Sequence, residues 1–395
     1  MHNLTPRLQA ALGQLRKAGT YKALRYLTDP MAPVTHIEEI GEVLVFCSNN
    51  YLGLANHPEV VEAGRVGLQK FGAGTASVRF ICGTFTCHRE LEARIAQFLG
   101  TERALTYVSC WNANEGLLSN LVDEGDAILS DELNHASIID AARLARQAIR
   151  KVYKHSDPAA LETALQETAS SLVKIVVTDG VFSMEGDVAK LPDLIHKCRQ
   201  AGATLVVDDS HGVGVLGRGG RGVHEHFGLP GRGPDGVDIF TGTLGKSLGG
   251  AAGGYVAGPA EVIDYLTQRS RPQLFSNALP PTVACSAAKA LEILEREPER
   301  VTRLHQNVAR MRNGLQSLNY EVLESPTAIL PIIVGETAEA IRLSNRLLEM
   351  GVFVIGFGFP VVPEGAARLR VQMSAAHTDA HIDRALEAFA KLKSE

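Results

Sequence analysis

Residues 204–214, TLVVDDSHGVG, join a short β-branched apolar run to a polar turn that contains glycine. The same arrangement occurs in KIVVT (174–178) and in VDIF (237–240), and further short runs occupy 104–109, 127–130, 149–153 and 254–257. Strands that are buried on both faces have this composition. Because helical patterns separate the runs, the sequence predicts an α/β fold with a mostly parallel, seven-stranded sheet.

The chain is too long for one simple core, since it has 395 residues. We predict an N-terminal helical segment over residues 1–48, a large domain over 49–290 and a smaller C-terminal α/β domain over 291–395. A long charged helix is predicted at 292–318. Residues 1–19 lack a long apolar core, which indicates an amphipathic helix and not a secretory signal.

The composition is that of an ordinary globular protein. Hydrophobic residues make up 45% and charged residues 21%, and the formal net charge of −5 argues against a nucleic-acid-binding surface. The six cysteines form no CxxC pair, and Cys82, Cys87 and His88 match no known metal-site spacing. We therefore predict no metal, buried and reduced thiols, and a cytoplasmic location. No stretch approaches the roughly 20 apolar residues that cross a bilayer.

A glycine-rich turn displays one lysine, Lys246, in DIFTGTLGKSLGG (238–250). A phosphate-binding P-loop needs four residues between its first glycine and Gly-Lys-Ser, which would require glycine where the chain has Phe240. Gly242 leaves only two intervening residues, so the P-loop alternative fails on spacing. A lysine held among glycines, where a cofactor can approach the backbone, suits a Schiff base instead.

Asp208 stands at the end of a predicted buried strand, and His211 follows three residues later. A buried carboxylate is costly without a cationic partner. Asp208 is either an acidic cap of the turn or the anion that keeps the ring nitrogen of a pyridoxal cofactor protonated. In the second case His211 can hydrogen-bond the phenolic oxygen of the ring.

Two more loops follow predicted strand ends. Residues 109–114, SCWNAN, lie between a strand and a helix, so their backbone N–H groups can hold a phosphate. His135, in NHAS (134–137), either stacks on a flat aromatic cofactor or serves as a structural hydrogen-bonding group. The order of these segments along the chain predicts one cofactor pocket at the carboxyl ends of the strands.

Seven segments together closely resemble those of the α-oxoamine synthases. They are NNYLGLANHP (49–58), ASVRFICGT (76–84), LNHASIIDAARL (133–144), DGVFSMEGD (179–187), VDDSHGVG (207–214), TGTLGKSLGG (241–250) and RLRVQMSAAHT (368–378). Members of this family are type I fold enzymes that use pyridoxal 5'-phosphate, and most are homodimers. They join an amino acid to the acyl group of a coenzyme A thioester. The resemblance covers nearly the whole chain and implies the same fold, cofactor and reaction class.

The resemblance also implies a role for each candidate site residue. Lys246 carries the cofactor, Asp208 pairs with the pyridinium nitrogen, His211 with the phenolic oxygen, and His135 stacks on the ring. The cofactor phosphate is bound by the amides of Cys110 and Trp111 and by the Thr243 hydroxyl, and Ser183 lies near the cofactor. Phe275 and Ser276 reach the site from the neighbouring subunit. Arg370 binds the substrate carboxylate with its planar guanidinium, and Asn49 and Arg25 are further substrate contacts.

Three segments indicate the substrates. ASVRFICGT, SRPQLFSN (270–277) and FPVVPEGAARLR (359–370) are most similar to the branch that condenses glycine with acetyl-CoA to 2-amino-3-ketobutyrate. The alternative is the decarboxylating condensation of pimeloyl-CoA with L-alanine to 8-amino-7-oxononanoate, a step of biotin biosynthesis. That branch often has a threonine in the stretch that here reads PVVP (360–363), so its absence favours glycine and acetyl-CoA. One enzyme with both activities stays open, as does aminotransferase chemistry on the same fold.

Overall fold

The computed structural model describes residues 3–395 as two compact units. The large unit consists of Asn49–Ser183 and Asp187–Arg303. The smaller unit consists of the described residues up to Ser48, together with Met184–Gly186 and Leu304–Glu395. These units are not the three predicted segments, because the N-terminal and C-terminal portions of the chain belong to one compact unit.

The large unit alternates strands and helices along most of its length. Its strands are β3 (Arg103–Tyr107), β4 (Ala127–Asp131), β5 (Ile149–Tyr153), β6 (Lys174–Asp179), β7 (Thr204–Asp208), β8 (Ile239–Thr243) and β9 (Gly254–Gly258). Its helices are α2 (Pro58–Phe71), α3 (Thr86–Leu99), α4 (Cys110–Leu118), α5 (Ala136–Leu144), α6 (Pro158–Glu167), α7 (Leu191–Ala201), α8 (Val223–His226), α9 (Ala260–Arg269), α10 (Arg271–Phe275) and α11 (Pro281–Arg296).

The seven strands form one sheet in the order β3-β9-β8-β7-β6-β4-β5. All neighbouring pairs from β8 to β5 are parallel, and β9 runs antiparallel to both β3 and β8. Every residue of β4 and of β6 is buried, as expected for strands that are covered on both faces. The predicted α/β fold with a mostly parallel seven-stranded sheet is therefore confirmed.

The register of the parallel strands determines which side chains meet at the carboxyl edge of the sheet. Asp179 at the end of β6 pairs with Asp208 at the end of β7, and Asp208 pairs with Thr241 on β8. Three polar residues from distant parts of the sequence are thereby side by side. Ligands of open α/β sheets bind at this edge.

The smaller unit contains two small sheets and their covering helices. Its elements are α1 (Leu4–Lys17), β1 (Val34–Ile37), β2 (Gly41–Val45), β10 (Ile329–Gly335), α13 (Thr337–Glu349), β11 (Val352–Phe353), β12 (Ile355–Phe357), β13 (Ala367–Gln372) and α14 (Asp379–Ser394). One sheet has the order β1-β2-β11, and the other, antiparallel throughout, has the order β10-β13-β12. The predicted smaller C-terminal α/β domain is thus present.

The N-terminal segment differs from its prediction as a helical segment. The amphipathic helix is present as α1, but β1 and β2 follow it as an antiparallel pair. Val43, Leu44 and Val45 are buried, which explains why this stretch is a strand of a packed sheet and not a surface helix. Within residues 3–395, no helix combines the length and apolar character needed to span a membrane.

The single long helix predicted at 292–318 is wrong. The chain forms α11, which ends at Arg296, and then α12 (Glu299–Ser317). Pro298 lies between them, and Glu297 before it has left the helical region, with φ −125° and ψ 59°. Proline lacks an N–H group and disfavours helical geometry at the preceding residue, so the break has a local cause. The boundary between the units follows at Arg303, later than the predicted residue 290.

The cysteines are all free thiols. Cys87 and Cys198 are buried, and Cys47, Cys110 and Cys285 are partly buried. Cys82 is exposed, together with Phe80 and Ile81 in the same turn, so the expectation of a buried thiol is wrong at this position. Periodic burial patterns do not extend into such a turn, which is why the sequence did not indicate the exposure.

Candidate active site

A cavity of about 220 Å³ lies at the carboxyl edge of the large unit's sheet. Its lining residues are Cys110, Trp111, His135, Ser137, Asp179, Val181, Ser183, Asp208, Ser210, His211, Thr243 and Lys246. The structure thus brings together every predicted cofactor residue except Phe275 and Ser276. The cavity combines an amine, two carboxyl groups and two imidazoles.

Asp208 is held by a set of hydrogen-bond donors. It is buried, and its Oδ2 accepts from the Asn114 side-chain amide at 2.7 Å. Its Oδ1 accepts from the backbone N–H of Ser210 at 3.0 Å, and the Cys110 thiol lies 3.5 Å from Oδ2. These donors fix the orientation of the carboxylate, which lines the cavity.

Asp179 adds a second carboxyl group beside Asp208. It is buried and accepts a hydrogen bond from the backbone N–H of His135 at 2.7 Å. Burial raises the pKa of the Asp179 carboxyl well above its usual range, and the neighbouring charge of Asp208 raises it further. Asp179 and Asp208 together therefore favour a cationic group of a ligand, such as a protonated pyridine ring.

His135 caps the N-terminus of α5. Its Nδ1 accepts from the backbone N–H of Ser137 at 3.2 Å and lies 2.8 Å from the Ser137 hydroxyl. Burial lowers the pKa of the imidazole, and the nearby charge of Lys246 lowers it further while that of Asp208 opposes this effect. A neutral, flat ring of this kind suits stacking on an aromatic cofactor. The Trp111 ring meets it edge-on, with 6.2 Å between the ring centroids.

His211 is positioned by a tyrosine. Its Nδ1 lies 2.8 Å from the hydroxyl oxygen of Tyr51, whose ring is completely buried. The same Tyr51 hydroxyl lies 3.4 Å from the side-chain oxygen of Asn49. A buried tyrosine ring has little freedom, so it sets the direction in which the His211 ring faces.

The N-terminus of α4 offers an anion site at the other end of the cavity. Ser109 is the N-cap, and its hydroxyl accepts from the backbone N–H of Asn112 at 3.2 Å. Cys110 and Trp111 are in the first turn, where N–H groups have no partner within the helix. A side chain at Gly254 would collide with the backbone of Cys110, so glycine there permits the close approach of β9. The Thr243 hydroxyl, which accepts from the N–H of Gly245 at 3.0 Å, completes this end.

These groups correspond to the parts of pyridoxal 5'-phosphate. Lys246 supplies an amine for the aldehyde, Asp208 an anion for the ring nitrogen, and His135 a flat partner for the ring. The first turn of α4 and Thr243 supply donors for the phosphate. The residues present therefore fit this cofactor.

The family model described as aminotransferase class I and II matches residues 41–389. The chain belongs to the class I and II aminotransferase family. It is 45% identical to the mitochondrial 2-amino-3-ketobutyrate coenzyme A ligase of Bos taurus, covering 98% of this chain and 91% of that one. It is 46% identical to the 8-amino-7-oxononanoate synthase of Symbiobacterium thermophilum, covering 99% and 98%. These relatives confirm the predicted resemblance to the α-oxoamine synthases.

The fold of this family member matches solved structures. One is a structure of SPT, serine palmitoyltransferase, with a PLP internal aldimine. It has a TM-score of 0.92 and 30% sequence identity, and the match covers 98% of this chain and 96% of that one. The type I fold is thereby confirmed.

Phe275 and Ser276, which we predict to reach the site from the neighbouring subunit, are not among the residues that line the cavity. Phe275 ends α10 and is 71% exposed, with the guanidinium of Arg271 5.2 Å from its ring centroid. Ser276 follows it and is half-buried. Their predicted role in a partner's site stays a prediction.

The predicted substrate contacts are distributed over both units. Asn49 is the first residue of the large unit, and Arg25 is an exposed residue of the smaller unit. Arg370 lies on β13 of the smaller unit, with its guanidinium 4.6 Å from the centroid of the Phe357 ring. Its terminal nitrogen donates to the side-chain oxygen of Gln372 at 3.1 Å. These contacts hold the Arg370 side chain in place, and its predicted role toward substrate stays a prediction.

Sequence reasoning missed Asn114 and Tyr51 as site residues. Asn114 is 1% exposed and follows Cys110 by four positions on α4, so the two share one face of the helix. A polar residue at such a position on a buried helix was an available signal. Tyr51 stands in the NNYLGLANHP segment, but its contact with His211 joins positions 160 residues apart. Only the fold reveals that contact.

A second ionic cluster lies near the turn that presents Ser183. His155 bonds Asp131 through Nδ1 and Asp187 through Nε2, both at 2.9 Å, and its ring packs edge-on against Phe182. Although burial opposes the charged form, the bonds to Asp131 and Asp187 raise the pKa of His155 to about 10. Asp187 also accepts the N–H of Phe182 through its backbone carbonyl at 3.0 Å. His155 therefore ties the turn over 181–188 to the end of β4.

We predict that His155→Gln lowers stability and changes its pH dependence. The folded-state pKa is raised, so the stabilisation by His155 is full below the ordinary pKa of about 6.5 and is lost as pH rises through about 10. At pH 6 the variant should lose about 1.5–3 kcal/mol of unfolding free energy, the usual contribution of a hydrogen bond to a charged group. Urea unfolding between pH 6 and 10 measures both proteins. The difference should shrink toward pH 10, whereas exposed His196→Gln should leave the curve unchanged; a difference that is constant with pH contradicts the assignment.

Proposed function

We propose that this protein condenses glycine with acetyl-CoA to give 2-amino-3-ketobutyrate and coenzyme A, with pyridoxal 5'-phosphate as cofactor. The observation that carries the proposal is the convergence of Lys246, Asp208 and His135 in one cavity. It is supported by 45% identity over nearly the full length to a 2-amino-3-ketobutyrate coenzyme A ligase. Glycine and threonine metabolism is the corresponding context.

In this proposal the cavity residues would hold the cofactor at five points. Lys246 would hold it covalently, Asp208 would face the ring nitrogen and His211 the phenolic oxygen, and His135 would cover the ring face. The N–H groups of Cys110 and Trp111 and the hydroxyl of Thr243 bind the phosphate, near Ser183. When bound, pyridoxal phosphate acts as an electron sink that acidifies the Cα–H bond of an attached amino acid.

The chain's own groups then manage charge and protons. Nζ of Lys246 would serve as the base that accepts the Cα proton of glycine. The Asp208 carboxylate, oriented by the Asn114 amide, balances the positive charge of the ring nitrogen. Arg370 binds the glycine carboxylate. It thereby keeps the Cα–carboxylate bond out of the orientation in which a bond to Cα is broken, so that the Cα–H bond is broken instead.

The proposal includes a homodimer with shared active sites and a cytoplasmic location. Phe275 is 71% exposed, and the turn that contacts its helix exposes Phe80 and Ile81, so a group of large apolar side chains supports the first point. Phe275 and Ser276 are the residues we expect in the partner's site. Six cysteines without a disulfide support a reducing compartment.

A second candidate is the decarboxylating synthesis of 8-amino-7-oxononanoate from pimeloyl-CoA and L-alanine. The 46% identity to the Symbiobacterium thermophilum synthase supports this candidate about as strongly as the 45% identity to the coenzyme A ligase supports the first. Against it stands the PVVP stretch at 360–363, where the relatives with that activity often have threonine. An enzyme with both activities would have a broad acyl pocket.

A free-thiol release assay separates the candidates. It crosses glycine, alanine and serine with acetyl-CoA, a medium-chain acyl-CoA and pimeloyl-CoA, each at equal concentration. Glycine with acetyl-CoA should give the highest kcat/KM. If alanine with pimeloyl-CoA is the best pair, the primary proposal is wrong and the second candidate replaces it. Amino exchange with a keto acid and no thiol release would indicate an aminotransferase.

We predict that Arg370→Ala weakens glycine binding far more than acetyl-CoA binding. A charged bidentate contact to a carboxylate contributes about 1.5–3 kcal/mol, which corresponds to about ten- to a hundredfold in KM for glycine. Steady-state kinetics with each substrate varied in turn measures the two effects. Arg342, an exposed arginine paired with Glu339 in the same unit, provides the control variant Arg342→Ala, which should change neither KM. Equal losses for both substrates in Arg370→Ala would indicate a structural role.

A further inference from the structure

One buried asparagine, Asn114, contacts residues of α5, β7 and β8 beside the cofactor cavity. Asn114, Ser137, Thr241 and Asp208 are each at most 3% exposed. Buried polar groups are costly unless each finds a hydrogen-bond partner, so the pattern of donors and acceptors in this cluster is strongly constrained. Asn114 is its centre, because it contacts each of the other three residues.

The orientation of the Asn114 amide follows from its partners. Its nitrogen lies 2.7 Å from Asp208 Oδ2 and 3.0 Å from Ser137 Oγ, and its oxygen lies 2.8 Å from the Thr241 hydroxyl. With the amide reversed, its oxygen would face the acceptor-only carboxylate of Asp208. The amide therefore donates one hydrogen to Asp208 and the other to Ser137, while Thr241 donates to its oxygen.

This orientation determines the direction of the next hydrogen bond. Ser137 Oγ receives a hydrogen from Asn114, so its own hydrogen is available for His135 Nδ1 at 2.8 Å. The backbone N–H of Ser137, which can only donate, also points at Nδ1 at 3.2 Å. Two donors thus face one lone pair, and the proton of the neutral ring is on Nε2.

We propose that Asn114 is a positioning residue that fixes the Asp208 carboxylate and, through the Ser137 hydroxyl, reinforces the tautomer of His135 that the Ser137 backbone N–H favours. The inference rests on the proposed function for its consequence, because Asp208 and His135 are the groups we assign to the nitrogen and the face of the cofactor ring. One amide thereby orients the anion that faces the ring nitrogen and, through Ser137, the ring that stacks on the cofactor. Asn114 itself is not in the lining of the cavity.

The direct test is an NMR titration of the His135 ring in the full-length protein with 15N-labelled histidine, with and without added pyridoxal phosphate. In the native protein the neutral His135 ring should have its proton on Nε2, and its pKa should lie below the ordinary histidine value. In Asn114→Ala the Ser137 hydroxyl is free to turn and accept from Nδ1, so the imidazole should titrate at higher pH by about one pH unit. The other ionisable groups that face His135, namely Asp208, Asp179 and Lys246, are retained in this variant, and Ser137→Ala separates the effect of the Ser137 hydroxyl from any change at Asp208.

Cofactor affinity provides the second readout. Losing a hydrogen bond to the Asp208 carboxylate should weaken pyridoxal phosphate binding by about ten- to a hundredfold in Asn114→Ala, measured by equilibrium dialysis. Ser137→Ala removes only the link to His135, so it should alter the titration of His135 while leaving cofactor affinity within about threefold. This variant keeps the inference testable even if Asn114→Ala fails to fold.

The control is Asn120→Ala, since Asn120 follows the same helix and donates to the backbone carbonyl of Gly116, away from the network. It should behave like the native protein in both measurements. Unchanged His135 titration and unchanged affinity in Asn114→Ala would overturn the inference. A native protein that binds no pyridoxal phosphate would overturn the proposed function instead, while the His135 titration would still decide the hydrogen-bond direction.

Discussion

Lys246→Ala should lose covalent attachment of the cofactor and lower turnover by about a thousandfold or more. The substitution removes both the amine that holds the cofactor and the base that accepts the Cα proton, and a positioned base alone contributes about 10²- to 10⁴-fold. Borohydride reduction followed by peptide mass spectrometry should find the pyridoxyl adduct on Lys246 in the native protein. The variant should show no adduct.

Lys190→Ala is the matched control, because Lys190 is an exposed lysine of the same unit outside the cavity lining. It should retain native turnover and the adduct on Lys246. A reducible adduct of native stoichiometry in Lys246→Ala would show that another amine carries the cofactor, and the site assignment would then be wrong.

Asp208→Asn should keep the fold and lose turnover by about a hundredfold or more. The side chains have the same shape, but the amide no longer balances a positive ring nitrogen, so the bound cofactor loses its electron-sink character. The measurement is kcat together with the absorbance of the bound cofactor as a function of pH. Exposed Asp235→Asn should match the native protein in both. Near-native kcat in Asp208→Asn would contradict the role of this carboxylate.

The fold distinguishes the roles of Asp208 and Asp209, which are adjacent in the VDDSHGVG segment. Asp208 lines the cavity, whereas Asp209 is completely buried and accepts the N–H of Val223 at 2.7 Å. A side chain at Gly212 or Gly222 would collide with the Asp209 carboxyl, so glycine is required at both positions. Burial, with a smaller contribution from the neighbouring charge of Asp208, raises the pKa of Asp209 to about 7, although the hydrogen bond from the Val223 N–H opposes the increase. Asp209 therefore packs the turn, and Asp208 meets the ligand.

The sequence was sufficient for the sheet and for most of the cavity. Runs such as KIVVT are too short and too β-branched for helices, so they identify strands from local composition. Parallel strands bring their carboxyl ends to one edge, and the residues there could be assigned without coordinates. Pro298 is also a local signal for a helix break, and our prediction of a single helix over 292–318 did not take it into account.

Other features depend on contacts between distant segments. The β1–β2 pair is stabilised by packing within the smaller unit, since β11 from residues 352–353 completes its sheet. Asn114 contacts Asp208 across 94 positions, and its significance appears only when α4 is placed against β7. Local patterns do not encode such pairings, because the hydrogen-bond partner of a buried polar group is chosen by the tertiary fold.

The most direct test of the proposed reaction follows the carboxyl carbon of glycine. The enzyme is supplied with carboxyl-labelled glycine and acetyl-CoA, and the β-keto acid product is trapped by coupled reduction to a hydroxy amino acid before it loses carbon dioxide in solution. We predict that one coenzyme A is released for each molecule of trapped product and that the product retains the label. Stoichiometric loss of the label as carbon dioxide on the enzyme would contradict the account, and with alanine and pimeloyl-CoA as the better substrates it would identify an 8-amino-7-oxononanoate synthase.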